Sequence, residues 1–161
     1  TQATPGEVDI GLIVRQTLDF LRMGLEKQGV ELTVTVPASL PKARGDSELL
    51  KQCLVNLVKN SMEAMPQGGR LSVTTGMRQG NVFLAVADTG HGIPREHLAQ
   101  VFNPFFSTRD KGAGLGLAMT KKILDDLGGS VEIKSQEGQG AVVTLLLPPF
   151  FALEKDSAHA S

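Results

Sequence analysis

From Asp9 onward, apolar residues recur at helical spacing. Ile13, Val14, Thr17, Leu18, Leu21 and Leu25 share one face, and the pattern stops at Gly29. Residues 30–36 (VELTVTV) alternate apolar with polar, which predicts a half-buried strand ended by Pro37. Asp46 or Ser47 caps a second predicted helix that runs to about Met65 and is stopped by Pro66 and the Gly68–Gly69 pair. Residues 71–75 and 82–86 read as a hairpin, with 76–81 as its turn. A long stretch punctuated by glycine and polar residues follows, 88–114, with one short helical candidate over 95–101. Loops of that length inside a compact domain usually carry function or move. A third helix is predicted over about 115–127, ending at Gly128–Gly129, and two last strands, 130–135 and 141–147, flank the turn EGQG. Residues 1–8 read as a frayed lead-in or linker, 9–149 as one domain, and 150–161 as a polar tail that frays. Five strands and three main helices predict an α/β fold, a two-layer sandwich with helices on one face of the sheet.

Composition narrows the function classes. The chain has 161 residues, 41% hydrophobic and 20% charged, the balance of an ordinary globular domain. Lys and Arg total 16 against 17 Asp and Glu, so nothing in the overall charge favours nucleic acid or an anionic surface as partner. One cysteine excludes an internal disulfide and a cysteine-rich metal site, and three scattered histidines speak against a zinc site. The 18 glycines are clustered, which points to places where backbone approaches something closely.

Four segments carry the candidate chemistry. On the second helix, Leu50, Cys53, Leu54, Leu57 and Val58 form an apolar arc, and Gln52, Asn56, Lys59, Asn60 and Glu63 form the opposite one. Two asparagines at i and i+4 carry a small propensity cost; they fit a solvated face with chance asparagines, or a pocket wall with neutral oxygens for a hard cation and amide donors for phosphate. Cys53, on the apolar arc, reads as inert core. The second segment is DTGHGI, residues 88–93. It places Asp88 at a strand end before two glycines, a fixed carboxylate able to accept from an exocyclic amine. An ordinary Asp-x-Gly turn would look the same. Third, KGAGLGL at 111–117 opens the third helix with glycines that expose backbone N–H groups, a ready anion site. No Gly-Lys-Ser/Thr follows, so it is not a P-loop, and it lacks the third glycine of a dinucleotide fingerprint. Fourth, VFNPFFSTR at 101–109 puts three of the seven phenylalanines in a loop. It reads as a lid docked by aromatics, with Ser107, Thr108 and Arg109 toward phosphate, or as a plug for the core.

In this order and spacing, residues 54–65 (LVNLVKNSMEAM), 88–93 (DTGHGI), 102–108 (FNPFFST) and 112–117 (GAGLGL) resemble the ATP-binding catalytic domain of bacterial sensor histidine kinases. That superfamily also holds DNA gyrase, the heat-shock chaperone ATPase and the mismatch-repair ATPase. The resemblance covers nearly the whole chain, from Asp9 to Pro148. It implies a Bergerat-type fold with a mixed, mostly antiparallel sheet. It implies ATP and Mg²⁺ as cofactors, with Asn60 as the metal ligand and Asn56 supporting it as the second catalytic position. Asp88 would accept from the adenine amine, with Gly92 and Thr144 completing a water-bridged rim beside Gly90, and Ile93 would wall the base. Thr108, Arg109 and Lys111 would steady the terminal phosphates, and the backbone of Gly112, Ala113, Gly114, Leu115, Gly116 and Leu117 would wrap them. Which of Lys59 and Glu63 faces phosphate stays open, since Glu63 stands where many relatives carry Lys or Arg. The hydrolysing branches place a glutamate, as general base, four residues before the metal asparagine. Asn56 stands there and cannot take a proton, which favours phosphoryl transfer to a protein over hydrolysis.

None of His91, His97 and His159 precedes an acid, as a phosphoacceptor histidine of this family does. The implied partners are therefore a histidine-bearing dimerisation domain of the same polypeptide and a response regulator receiver domain. No nucleic acid is implied, and the isolated domain is expected to be monomeric. Many members of the family are membrane-anchored, with this domain on the cytoplasmic side. Two other readings stand beside the kinase: an ATP-hydrolysing conformational switch and a non-catalytic nucleotide-binding module.

Overall fold

Local sequence signals account for most of the elements in the computed structural model, which describes residues 3–104 and 113–150, with 113–116 as backbone only. Strand β1 (Gly6–Val8) leads into helix α1 (Ile10–Gln28), then β2 (Val30–Thr35) and β3 (Ala43–Gly45). Helix α2 (Ser47–Ala64) is followed by the hairpin β4 (Gly69–Arg78) and β5 (Asn81–Asp88). A short α3 (Arg95–Leu98), α4 (Ala113–Asp126), β6 (Ser130–Gln136) and β7 (Gly140–Leu147) complete the order.

The main sheet has five strands in the order β2-β4-β5-β7-β6. Only β2 and β4 pair in parallel; the other pairs are antiparallel. Helices α1, α2 and α4 cover one face. Between the layers lie Leu71, Val73, Leu84, Val86 and Leu145 of the sheet and Leu18, Leu25, Leu54, Leu57 and Leu124 of the helices, each at most 3% exposed. The expected two-layer architecture is therefore present.

The caps explain why the helices start where they do. Asp9 accepts from Leu12 N at 3.1 Å, and Gly29 ends α1 in the left-handed region at φ 80°. The hydrogen bond from Leu12 N holds the Asp9 carboxyl below its ordinary range, partly offset by burial, and Lys42 lowers it further. Asp46 does two things at once. Oδ1 accepts from Leu49 N at 3.1 Å, which caps α2, and Oδ2 accepts from Thr4 N at 2.8 Å. Asp46→Ala removes both bonds, so chemical denaturation should show a loss of about 1–2 kcal/mol; an unchanged midpoint would dismiss the cap.

Four differences from the predicted elements have physical causes. Residues 6–8 are not a frayed lead-in: β1 pairs antiparallel with β3, and Val8 is 3% exposed. Three-residue strands are too short to show periodicity. On its other side β3 meets residues 149–150, with Ala43 bridging Pro149 and Phe150 N donating to Lys42 O at 2.9 Å. Residue 150 thus belongs to the domain, and the expected tail from 151 lies outside the described residues. The hairpin turn is the pair Gln79–Gly80, at φ 51° and 81°, and not the wider 76–81. Gly76 sits inside β4, where a Cβ would stand 2.8 Å from the Phe83 ring. The 95–101 helix shortens to one turn, without a side-chain cap.

Candidate functional site

The site forms where the C-terminal end of β5 meets α2 and the β6–β7 turn. Asp88 is the last residue of β5 and lies in register with Ala141 of β7. Its Oδ1 accepts from Gly90 N at 2.9 Å and Ala141 N at 3.3 Å, and its Oδ2 accepts from the Ser61 hydroxyl of α2 at 2.8 Å. Three donors from three elements hold one carboxylate in place.

The loop after Asp88 is stapled on both sides. Gly90 presses against the end of α2, where a Cβ would come 2.5 Å from Ala64 O. His91 N donates to that same carbonyl at 3.0 Å, satisfying one of the acceptors a helix end leaves open. On the other side Gly138 N donates to His91 O at 2.6 Å, and Ile93 N donates to Ser135 Oγ at 2.7 Å. Gly92, at φ 71°, leaves no room for a side chain, because a Cβ would meet Gln136 O at 2.3 Å. The glycines singled out in DTGHGI are thus there for close approach and for a left-handed turn.

This framework borders a cleft of about 520 Å³. Leu57, Val86, Ile93, Val101, Leu117, Ile133 and Val143 give it apolar walls, and Asn60, Ser61, Glu63, Asp88, His91, His97 and Glu137 supply polar groups. Apolar walls with a few converging polar groups suit a flat heterocyclic ligand. Among the described lining residues there is no Lys or Arg. Asn60 Nδ2 is buried with no hydrogen-bond partner among the described residues, an amide donor awaiting an acceptor.

The sequence-predicted residues divide as follows. Asn60, Glu63, Asp88, Gly92, Ile93 and Leu117 line the cleft, and Gly90 shapes its edge through Ala64. Asn56 is half-buried on α2 and Lys59 is exposed, and neither lines the described cleft. Thr144 is a correction. It pairs with Ala85 and lies on the sheet face opposite Val143, which lines the cleft, so it cannot form the rim of Asp88. Ala141 takes that place through its backbone N–H. Ala113, Gly114, Leu115 and Gly116 form the first turn of α4. Thr108, Arg109, Lys111 and Gly112, with the phenylalanines at 105 and 106, lie outside the described residues. Cys53 is buried, and burial pushes its thiol up to about 11, consistent with inert core. Sequence reasoning missed Ser61 and Ser135, whose roles depend on partners distant in the chain.

Residues 45–150 match the family described as histidine kinase-, DNA gyrase B-, and HSP90-like ATPase. The chain belongs to that family. Over 141 residues this ATPase-family domain is 35% identical to the sensor histidine kinase ZraS of Escherichia coli (strain K12), covering 88% of this chain and 30% of that protein. Its fold superposes on full-length ShkA solved in complex with AMPPNP, with a TM-score of 0.81, 30% identity and coverage of 92% of this chain and 32% of that one. It also superposes on histidine kinase ThkA in complex with the response regulator protein TrrA, with a TM-score of 0.78, 25% identity and coverage of 91% and 42%. The chain thus spans less than half of each of these relatives. No helix among the described residues is long and apolar enough to cross a membrane.

Proposed function

We propose that this domain binds Mg–ATP in the cleft and presents the γ-phosphate to a histidine on the dimerisation domain of a two-component sensor kinase, for relay to a response regulator. The observation that carries the reading is the Asp88 carboxylate, fixed by Ser61, Gly90 and Ala141 among apolar walls. A base walled by Ile93 would place its exocyclic amine against that acceptor, with the apolar lining against the ring faces.

The residues present fit Mg²⁺ arriving with a nucleotide. Asn60 offers a neutral oxygen, and its partnerless amide suits a phosphate oxygen beside it. The described residues contain no cluster of three or more His, Cys, Asp or Glu that could hold a metal alone, so the phosphates would complete the shell. When bound, Mg²⁺ neutralises phosphate charge. Asn56 supports Asn60 from one turn earlier. Arg109 and Lys111, with Thr108, supply cationic and hydroxyl contacts to the terminal phosphates, and the amides of 112–117 bind them at the start of α4. Glu63 lines the cleft and Lys59 does not, and Glu63 would bring no positive charge to phosphate, which gives Arg109 and Lys111 that part in this reading.

Catalysis in this reading is positioning and electrostatics, and the nucleophile comes from the partner. Asn56 offers no base for water, which sets the ATPase reading behind the kinase.

The test follows labelled γ-phosphate from Mg–ATP in the presence of the cognate histidine-bearing dimerisation domain. The expected result is acid-labile, base-stable label on that domain, and its passage to a receiver aspartate. Steady release of free phosphate would replace this reading with the ATPase switch. Label that stays on ATP would leave a binding module.

A further inference from the structure

Resting on the reading of the cleft as an Mg–ATP site, we propose that Ser61 is a positioning residue for the base, which makes the cleft floor select a 6-amino over a 6-oxo purine. Ser61 is 5% exposed, lines the cleft, and donates its single hydroxyl hydrogen to Asp88 Oδ2 at 2.8 Å. A carboxylate offers only acceptors, so that hydrogen is committed to Asp88 and the Ser61 oxygen can only accept from anything else. Asp88 Oδ1 is engaged by two backbone amides, from Gly90 and Ala141. The remaining acceptor capacity of Asp88 is therefore on Oδ2, turned toward α2 and the cleft, next to a second acceptor oxygen.

An acceptor-only floor discriminates in one direction. A 6-amino group brings hydrogens to both oxygens. A 6-oxo group brings lone pairs and leaves three oxygens facing one another. A site built to bond a donor rejects the analogue that lacks it more strongly than it rejects a change of shape. Ser61 fixes the rotation of the carboxylate and adds its own acceptor oxygen to the floor. Without it, Asp88 keeps its amide bonds but loses the anchor on Oδ2, and the floor tolerates either purine more equally.

The experiment is equilibrium titration of the chain with Mg–ATP and with Mg–ITP, which carries a carbonyl at the 6-position and a hydrogen on N1 of the ring. Wild type, Ser61→Ala, Ser61→Cys and Ser61→Thr are compared, with thermal melts as a control on folding. Ser61→Ala is expected to weaken ATP about five- to tenfold with ITP affinity unchanged or improved, so the ATP:ITP preference falls by at least that factor. Ser61→Cys keeps the size with a weak donor and should behave like Ser61→Ala, which carries the test if the alanine variant fails to fold. Ser61→Thr restores the hydroxyl and should restore the preference. Parallel weakening of both nucleotides, or an unchanged ATP:ITP ratio, overturns the proposal while leaving the cleft as the nucleotide site. A wild-type chain that binds neither nucleotide overturns the underlying site reading and this proposal together.

Discussion

Asp88→Asn is expected to abolish Mg–ATP binding, weakening it by about 100-fold or more, while the fold survives. The substitution keeps shape and volume and changes one oxygen to an NH₂. Oδ1 must still accept from Gly90 N and Ala141 N, so the new amide nitrogen takes the Oδ2 position. Ser61 adapts there, because its hydroxyl can accept as readily as it donates. An incoming amine cannot adapt: two donors would face each other where a charge-assisted bond had been. The scale follows from losing a bond to a charged group, roughly 1.5–3 kcal/mol, and gaining a mismatch on top. Calorimetric titration beside a thermal melt separates the two effects. A variant that melts like wild type and binds Mg–ATP equally well would show that the pocket has been assigned to the wrong carboxylate.

Asp88 by itself looked like any Asp-x-Gly turn, and it became a candidate only through its order and spacing with the other three motifs. Asn60 was a similar case, a poor helix former placed on a face where Lys or Glu would be ordinary. Their companions were hidden. Ser61 lies beside the apolar arc of α2 and resembles any serine a helix tolerates, and only its 27-residue separation from Asp88 in sequence, closed by folding, gives it a role. Ala141 acts through a backbone N–H, which no side chain can advertise. Thr144 was implied by the family resemblance alone, but three residues along a strand reverse the face, and the register Asp88↔Ala141 decides which residue is a neighbour. The helices and the two-layer sandwich followed from long periodic patterns. The three-residue β1 and β3 had no period to read, and Gly76 imitated a turn because the Phe83 ring lies over it. Local pattern thus recovers the elements that bury an extended face, whereas groups recruited across the fold depend on strand register.

That register makes the β6–β7 turn the most sensitive structural part of the site. Gly138 and Gly140 both have left-handed backbones, at φ 82° and 93°, so alanine is strained at either position by about 1–2 kcal/mol. Their surroundings differ. A Cβ on Gly138 meets nothing within 4 Å, whereas one on Gly140 would stand 2.0 Å from Asp88 O and 3.1 Å from Thr89 Cα. Those atoms are backbone, and they belong to the strand end that carries the carboxylate. Gly140→Ala can be accommodated only by opening the last pairs between β5 and β7, which takes Ala141 N away from Asp88 and the Gly140 carbonyl away from Ser135 Oγ. Urea denaturation should therefore show a loss of about 1–2 kcal/mol for Gly138→Ala and of about 3 kcal/mol or more for Gly140→Ala. At a denaturant concentration where both variants remain folded, Gly138→Ala should bind Mg–ATP nearly as wild type does, and Gly140→Ala should not. Equal stability losses would mean that backbone conformation alone sets the requirement for glycine. Stability lost with nucleotide affinity intact would break the link drawn here between the turn and the position of Asp88.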